Sequence, residues 1–438
     1  MLNDFLDRYT DSGISRFHMP GHKGNYPPLS DLLPRDITEI AGADTLYAPT
    51  GVLRELEEEA ADFYGSRVTL LSAGGSTLCI HTMLAVARRY GRYRRVLAGR
   101  GAHVSFLYAC ALTGITPQWL LPTFTGVSGV ITPETLSAAL EQDDRYDAVY
   151  LTSPNYYGGV CDLSALVKIC HAHRLPLFVD NAHGAHFKLC DAIHPMDAGA
   201  DLCCDSLHKT LPVLTGGAML HSRLSLTAKE LTDCMALTGS TSPSYLILSS
   251  LAEGLRYQKE EGASEFAALA EQVNKLRDEA LAAGFALLTG DAPADPVRLS
   301  LDTRPLGLTG DAAAALLRDH QMEPEYADPA GVVLLPSPQN RAIDFGRLSA
   351  LFSVIEPQPP LTSDTPILTL PEQVLSPREA LFAPAREIPI QEAAGQICAQ
   401  MVPLCPPCIP LVVSGERLTP ELCAAAEKAG IFSVSVVK

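Results

Sequence analysis

Long apolar runs are missing from this sequence. Nothing approaches the ~18 uninterrupted apolar residues of a membrane-spanning helix, so no span is expected. Basic charge is also in short supply. There are 33 Lys and Arg against 50 Asp and Glu, a formal charge of -17. A nucleic-acid partner would need a basic face, so none is expected. The same balance mildly suits a cationic small molecule through long-range attraction. The N-terminus, Met1-Leu2-Asn3-Asp4-Phe5-Leu6-Asp7, lacks the basic and apolar regions of a secretory leader. The 12 cysteines are scattered and form no spaced framework. Free thiols in a reducing cytoplasm fit both facts. The lone Cys405-Pro406-Pro407-Cys408 has no second pair and no βαβ context. It reads as two thiols in a Pro-rich turn rather than a metal or redox motif.

What is present describes a large globular chain. With 438 residues, 47% hydrophobic and 19% charged, two or three domains are expected. Residues 1–50 read as an N-terminal arm. Residues 51–284 alternate strand-like and helical runs: a helix over 52–64, strands near 68–71, 96–98, 148–151, 177–179 and 218–220, and helices between them. Such alternation implies an α/β fold with a mostly parallel sheet covered by helices on both faces. Residues 285–355 read as a smaller α+β domain, 356–371 as a Pro-rich linker, and 372–438 as a C-terminal domain.

In open parallel sheets, ligands collect at the carboxyl ends of the strands. Three loops there carry chemistry. Gly74-Gly75-Ser76-Thr77 joins a strand to a helix, where small residues, hydroxyls and a helix N-terminus suit an anion such as phosphate. The same residues also make an ordinary N-cap. Leu177-Phe178-Val179 ends in Asp180, followed by Asn181-Ala182-His183-Gly184-Ala185-His186. Asp180 suits the protonated nitrogen of a pyridinium ring, or equally a helix cap. The spacing of His183 and His186 raises metal ligation with Asp180, but no open position or orienting partners are visible, so no metal is expected. About 25 residues later comes Asp205-Ser206-Leu207-His208-Lys209-Thr210-Leu211-Pro212. Most lysines are solvated charges. This one sits among apolar neighbours, which would desolvate it and pull its pKa towards a nucleophilic form. An acid after a strand and a Ser-x-His-Lys beyond it suit pyridoxal phosphate (PLP), with Lys209 forming the imine. His103, after Arg100-Gly101-Ala102, is unremarkable by itself.

Together these windows resemble the PLP-dependent ornithine/lysine/arginine decarboxylase family, of the aspartate-aminotransferase fold type I. The resemblance runs nearly the whole chain. It includes Phe17-His18-Met19-Pro20-Gly21-His22-Lys23-Gly24, Gly42-Ala43-Asp44-Thr45-Leu46, Ser153-Pro154-Asn155-Tyr156-Tyr157-Gly158, Ser240-Thr241-Ser242-Pro243-Ser244-Tyr245, and Ala393-Ala394-Gly395 through Gly415-Glu416. It implies a seven-stranded-type large-domain sheet, with Lys209 as the Schiff-base lysine. Asp180 would pair the pyridine nitrogen, His183 would sit near the ring oxygen, and His103 would stack on the ring. Gly75, Ser76, Thr77, Ser206 and His208 would hold the phosphate. Thr241 or Ser242 would reach the partner's cofactor in a homodimer, and Glu325 would face the substrate. Asn181 departs from the usual Glu, Cys405 and Cys408 from Tyr and Gly, and Ser414 from Pro. A long-form receiver-like domain at the N-terminus is not expected.

The implied reaction is α-decarboxylation of a basic amino acid to agmatine or a diamine. Lys209 or His208 would return the proton to Cα as general acid. Another PLP reaction, such as transamination, and a binding protein without turnover stay open, because fold alone excludes neither.

Overall fold

The computed structural model describes residues 2–12, 33–361, 369–404 and 409–438. The family-like stretch at residues 17–24 and the pair Cys405 and Cys408 lie outside them. Seven strands are β1 (Val68–Ser72), β2 (Arg95–Gly99), β3 (Thr116–Leu120), β4 (Ala148–Thr152), β5 (Leu177–Asp180), β6 (Leu202–Asp205) and β7 (Ala218–Ser222); β1-β7-β6-β5 lie side by side in that order, and so do β4-β2-β3. β2 runs parallel to β3 and β4, and β5 parallel to β6. β7 is antiparallel to β1 and β6. The longer helices up to residue 282 are α1 (Leu2–Asp11), α2 (Val52–Tyr64), α3 (Gly75–Tyr90), α4 (Val104–Thr113), α5 (Pro133–Gln142), α6 (Leu163–Ala172), α7 (Tyr245–Tyr257) and α8 (Ala263–Ala282). This is the mostly parallel α/β arrangement that the alternating pattern implies.

The chain divides into two compact units, Met1–Val86 with Phe178–Ala267 and Ala87–Leu177 with Ala268–Lys438. In the first, β1, β5, β6 and β7 are buried at every residue. Strands covered on both faces read as continuous apolar runs. α2 buries Leu53, Leu56, Ala60 and Tyr64, spaced three or four apart on one face. It ends at Gly65, whose φ of 66° is left-handed and whose N–H closes on Asp62 O.

The second unit contains β2, β3 and β4. It also holds a four-stranded antiparallel sheet: β8 (Ala286–Leu287), β9 (Leu299–Asp302), β10 (Tyr326–Asp328) and β11 (Gly331–Leu334), in the order β8-β9-β11-β10. α9 (Gly310–Asp319) and α10 (Ala342–Val354) share a core with it through Leu299, Leu301, Leu317, Val332, Leu351 and Phe352. Then come α11 (Pro377–Phe382), β12 (Ala385–Pro389), α12 (Pro420–Lys428) and β13 (Ser433–Val437), with β12 antiparallel to β13. These last elements enclose Ile390, Val412, Leu418, Leu422, Ala426 and Val436.

Two strands escape the sequence pattern. β3 is Thr-Pro-Gln-Trp-Leu, half exposed in alternation, and it tolerates a proline because it is an edge strand. β6 is Leu-Cys-Cys-Asp. It is apolar only once free cysteine is counted as a small hydrophobe.

Candidate active site

In the first unit, β5 and β6 lie side by side, with Asp180 opposite Cys204. Their carboxyl ends deliver the two motif loops to one place. Asp180 is 2% exposed. It accepts from Ala182 N at 3.1 Å and from Cys204 Sγ at 3.5 Å. Asn181 N bonds Cys204 O at 3.0 Å, which continues the pairing past the strand. His183 follows, nearly buried.

Lys209 closes a single helical turn, Leu207–Lys209, that starts directly after β6. Its Nζ lies 2.8 Å from His183 Nε2. Most of the lysine is withdrawn from solvent, as its apolar flanks require. His208 donates through Nδ1 to Gly217 O at 3.0 Å, since a carbonyl only accepts. In the neutral ring that makes Nε2 the acceptor nitrogen of His208. Ser206, fully buried, donates from Oγ to Ser76 Oγ at 3.1 Å. This joins the lysine loop to the first turn of α3. Thr210 Oγ1 is a buried hydroxyl with no hydrogen-bond partner among the described residues.

Gly75 opens α3. Its N–H bonds Gly216 O at 2.8 Å, so the amide is taken. Its φ is +67°, and a Cβ there would meet nothing within 4 Å. Backbone conformation, not space, calls for glycine. Thr77 is exposed on α3. Thr241 and Ser242 stand in an exposed turn ahead of α7, where Ser242 N bonds Ser240 Oγ at 3.2 Å. His186 is buried and stacks on Phe266 at 5.5 Å between ring centroids.

Beside Asp180 lies a buried network that the motifs did not disclose. Asp205 is fully buried. It accepts from Asn181 Nδ2 at 2.6 Å and His194 Nε2 at 2.9 Å, and His221 Nε2 lies 3.3 Å away. Met196 N donates to His194 Nδ1, which puts the proton of a neutral His194 ring on Nε2, facing Asp205. His221 Nδ1 meets Thr69 Oγ1 at 2.9 Å, and the Tyr64 ring covers His221 at 4.0 Å. Burial works to raise the Asp205 pKa, but His194 and His221 outweigh it and hold the carboxyl well below its ordinary range. Burial pushes the His221 imidazole down and the Cys203 thiol well up. One potential ligand atom each from His194, Cys203 and Asp205 falls within 4.8 Å of the others. His194 and Asp205 spend those atoms on each other, and the buried thiol keeps its proton. The trio is a hydrogen-bonded cluster. Asn181, directly after Asp180, is thus tied to Asp205, four residues before Lys209.

In the second unit, His103 is the N-cap of α4. Its Nδ1 accepts from Ser105 N at 3.2 Å and lies 2.8 Å from Ser105 Oγ. A small cavity at the carboxyl ends of β2 and β4 is lined by Gly99, Gly101, Thr152, Asn155 and Tyr156. Tyr156 donates to Glu325 Oε1 at 3.2 Å, and its ring meets Tyr326 edge-on at 5.0 Å.

Comparison with known proteins adds the following. The chain matches the model of the Orn/Lys/Arg decarboxylase major domain over residues 2–289 and that of the family's C-terminal domain over 362–426. It is 29% identical over 445 residues to arginine decarboxylase of Bacillus subtilis (strain 168), covering 95% of this chain and 90% of that one. It is 30% identical over 434 residues to arginine decarboxylase of Bacillus anthracis, with 92% and 87% covered. An uncharacterised Bacillus subtilis protein, YaaO, is 31% identical over 436 residues, with 92% and 89% covered. Among solved structures, the lysine decarboxylase LdcF of Francisella novicida superposes with a TM-score of 0.81 at 18% identity, over 100% of this chain and 81% of that one. Lysine decarboxylase A of Pseudomonas aeruginosa gives 0.79 at 17% identity, with 100% and 80% covered. Both share the fold.

Proposed function

This chain belongs to the Orn/Lys/Arg decarboxylase family, and on that premise we propose that it removes the α-carboxylate of arginine as CO2, leaving agmatine, with PLP held at Lys209. The observation that carries the reading is the meeting of Lys209 Nζ with His183 Nε2 at 2.8 Å beside buried Asp180. Arginine is favoured over lysine and ornithine because the relatives similar over nine-tenths of the chain include several named arginine decarboxylases.

The residues suit the cofactor. A buried carboxylate, a shielded amine, and hydroxyls at the start of a helix match a pyridinium, an aldehyde and a phosphate in turn. When bound, PLP supplies an electron sink conjugated to the substrate's Cα. Asp180, which already accepts from Ala182 N and Cys204 Sγ, would face the ring nitrogen and hold its proton. Ser76 and Ser206 offer hydroxyls to the phosphate. His208 Nε2 donates there only as an imidazolium, since Nδ1 is committed to Gly217 O. Lys209, proton-coupled to His183, is the group we assign to return a proton to Cα. His103 is read as stacking on the ring and Glu325 as facing the substrate's basic end.

The reading extends to assembly. The site is completed in a homodimer, with Thr241 or Ser242 reaching the partner's cofactor. The chain is divided into an arm (1–50), a large domain (51–284), a small domain (285–355), a linker (356–371) and a C-terminal domain (372–438). No helix of the described residues is long and apolar enough to cross a membrane. Among the described residues the ten cysteines are free thiols, which agrees with a reducing cytoplasm.

The test offers purified, PLP-loaded protein arginine, lysine and ornithine separately, and identifies the products by mass. Agmatine with stoichiometric CO2 is expected. Keto-acid products would replace the reading with transamination, and full cofactor occupancy without turnover would replace it with a binding role.

A further inference from the structure

The C-terminal segment holds α4, the helix that His103 caps. Arg100 follows β2 directly and is 2% exposed, and Glu416 is 1% exposed. Their ion pair is bidentate, Nη1 to Oε1 and Nη2 to Oε2, both at 2.7 Å. Arg100 Nε also donates to Pro410 O at 3.2 Å, and its Nη2 to Leu411 O at 3.4 Å. Glu416 Oε2 takes a further bond from Val413 N at 2.8 Å. The turn that presents Glu416 is specific. Gly415 has a φ of +91°, and a Cβ on it would stand 2.1 Å from Leu375 O. At the other end of α4, Arg378 donates to Ala111 O and Leu112 O, each at 3.0 Å. α4 is therefore gripped just before its N-cap and at its last turn.

A buried ion pair is a weak device for stability, because desolvation offsets most of the attraction. Its bidentate geometry fixes orientation instead. We propose that Glu416 is a positioning residue. Through Arg100 it sets the Arg100-Gly101-Ala102-His103 segment, and with Arg378 it seats α4, so that His103 is presented by the C-terminal domain. This rests on the reading of His103 as a ring-stacking residue. Ser414, which departs from the family pattern, leaves the device intact: it is buried and its carbonyl accepts from Gln373 Nε2 at 3.0 Å.

The chain carries its own reporter. Trp119 is the single tryptophan. The Arg100 guanidinium lies 5.1 Å from its ring centroid. The experiment compares full-length Glu416→Gln, Glu416→Asp, Arg378→Ala, His103→Ala and the double variant H103A/E416Q. Readouts are Trp119 emission without cofactor, the visible band of the PLP-loaded protein, and kcat and KM on arginine. Glu416→Gln is expected to shift Trp119 emission and the visible band. It should lower kcat roughly 10- to 100-fold with KM little changed, as a misplaced group does. Glu416→Asp recovers part of the loss. In the His103→Ala background the Glu416→Gln loss should disappear, because both act through one side chain. If the two losses multiply in full, or if folded Glu416→Gln keeps wild-type emission and kcat, the proposal is overturned while His103 keeps its role. If His103→Ala alone leaves the band and kcat unchanged, the reading of His103 falls, and the proposal with it. Should Glu416→Gln fail to fold, Arg378→Ala decides. As a single change it must lower kcat, and in a further double variant, H103A/R378A, it must add nothing to His103→Ala; any other result overturns the proposal.

Discussion

Lys209 draws its distinction from its surroundings. Its neighbours Leu207 and Leu211 are buried, and the side chain ends on His183 Nε2. Replacing it with alanine removes the amine that we propose links the cofactor. Lys209→Ala is expected to lose the visible absorption band and all measurable turnover, which absorbance and CO2 release will check. Asp205 makes the second residue-scale test. Its pKa is depressed in the folded state, so its stabilisation is present above the unfolded value of about 3.9 and is lost as pH falls further. Asp205→Asn faces its amide into donors that need an acceptor. Urea midpoints at pH 7 are expected to fall by an amount equivalent to about 3–5 kcal/mol, with a smaller acid-dependent loss left than in wild type. Of the candidate site, Lys209, Asp180 and His183 stand out in the sequence because each sits in a short window with chemistry in its spacing. Asp205, His194 and His221 do not. Asp205 lies 11 residues from His194, and Asn181 lies 24 from Asp205. Only the pairing of β5 with β6 and of β6 with β7 brings them together.

At the scale of elements, α2 shows both what periodicity reveals and what it hides. Its bounds follow from the apolar face and the glycine after it. The same face carries Glu57, 2% exposed, with Leu71 N at 3.4 Å from Oε1. Burial pushes this carboxyl up to about 8 from an ordinary 4.5. The sign is opposite to that at Asp205. Between pH 4.5 and about 8 the unfolded chain gives up a proton that the folded one keeps, so stability falls as pH rises through that window and levels above it. Glu57→Gln is expected to flatten this slope and raise the melting temperature at pH 7 by roughly 2–4 °C. Thermal melts at a series of pH values check it. A hydrophobic period cannot flag such a residue, because a glutamate on an amphipathic helix reads as part of the wet face. The strand β6 was hidden for a related reason: two cysteines and an acid do not look like a buried strand until cysteine is counted among the hydrophobes.

At the scale of the whole molecule, the fold class was readable from the alternation of elements, and the family from windows spread along the entire chain. What alternation cannot deliver is the meeting of distant segments, such as Arg100 with Glu416, 316 residues apart. Assembly is the matching question for function. If Thr241 or Ser242 completes a partner's site, then Lys209→Ala and Ser242→Arg are each inactive alone. Mixed and reassociated, they form heterodimers with one intact site, and activity returns to about a quarter of wild type. Recovery of CO2 release on mixing is the measurement, and none at all would place each site within a single chain.

The cysteines give the molecule a built-in clock. Nine of the ten described thiols are buried, with only Cys190 partly open. Burial holds Cys79 and Cys398 up at about 12 and Cys161 at about 11, far from the reactive thiolate. A folded molecule therefore ignores an alkylating reagent at these positions. Each global opening exposes them together, on strands and helices of both units. The rate of their joint alkylation counts unfolding events one by one. The same burial implies that a molecule once opened in an oxidising medium has many wrong disulfides within reach, so its return to the native state depends on reductant being present.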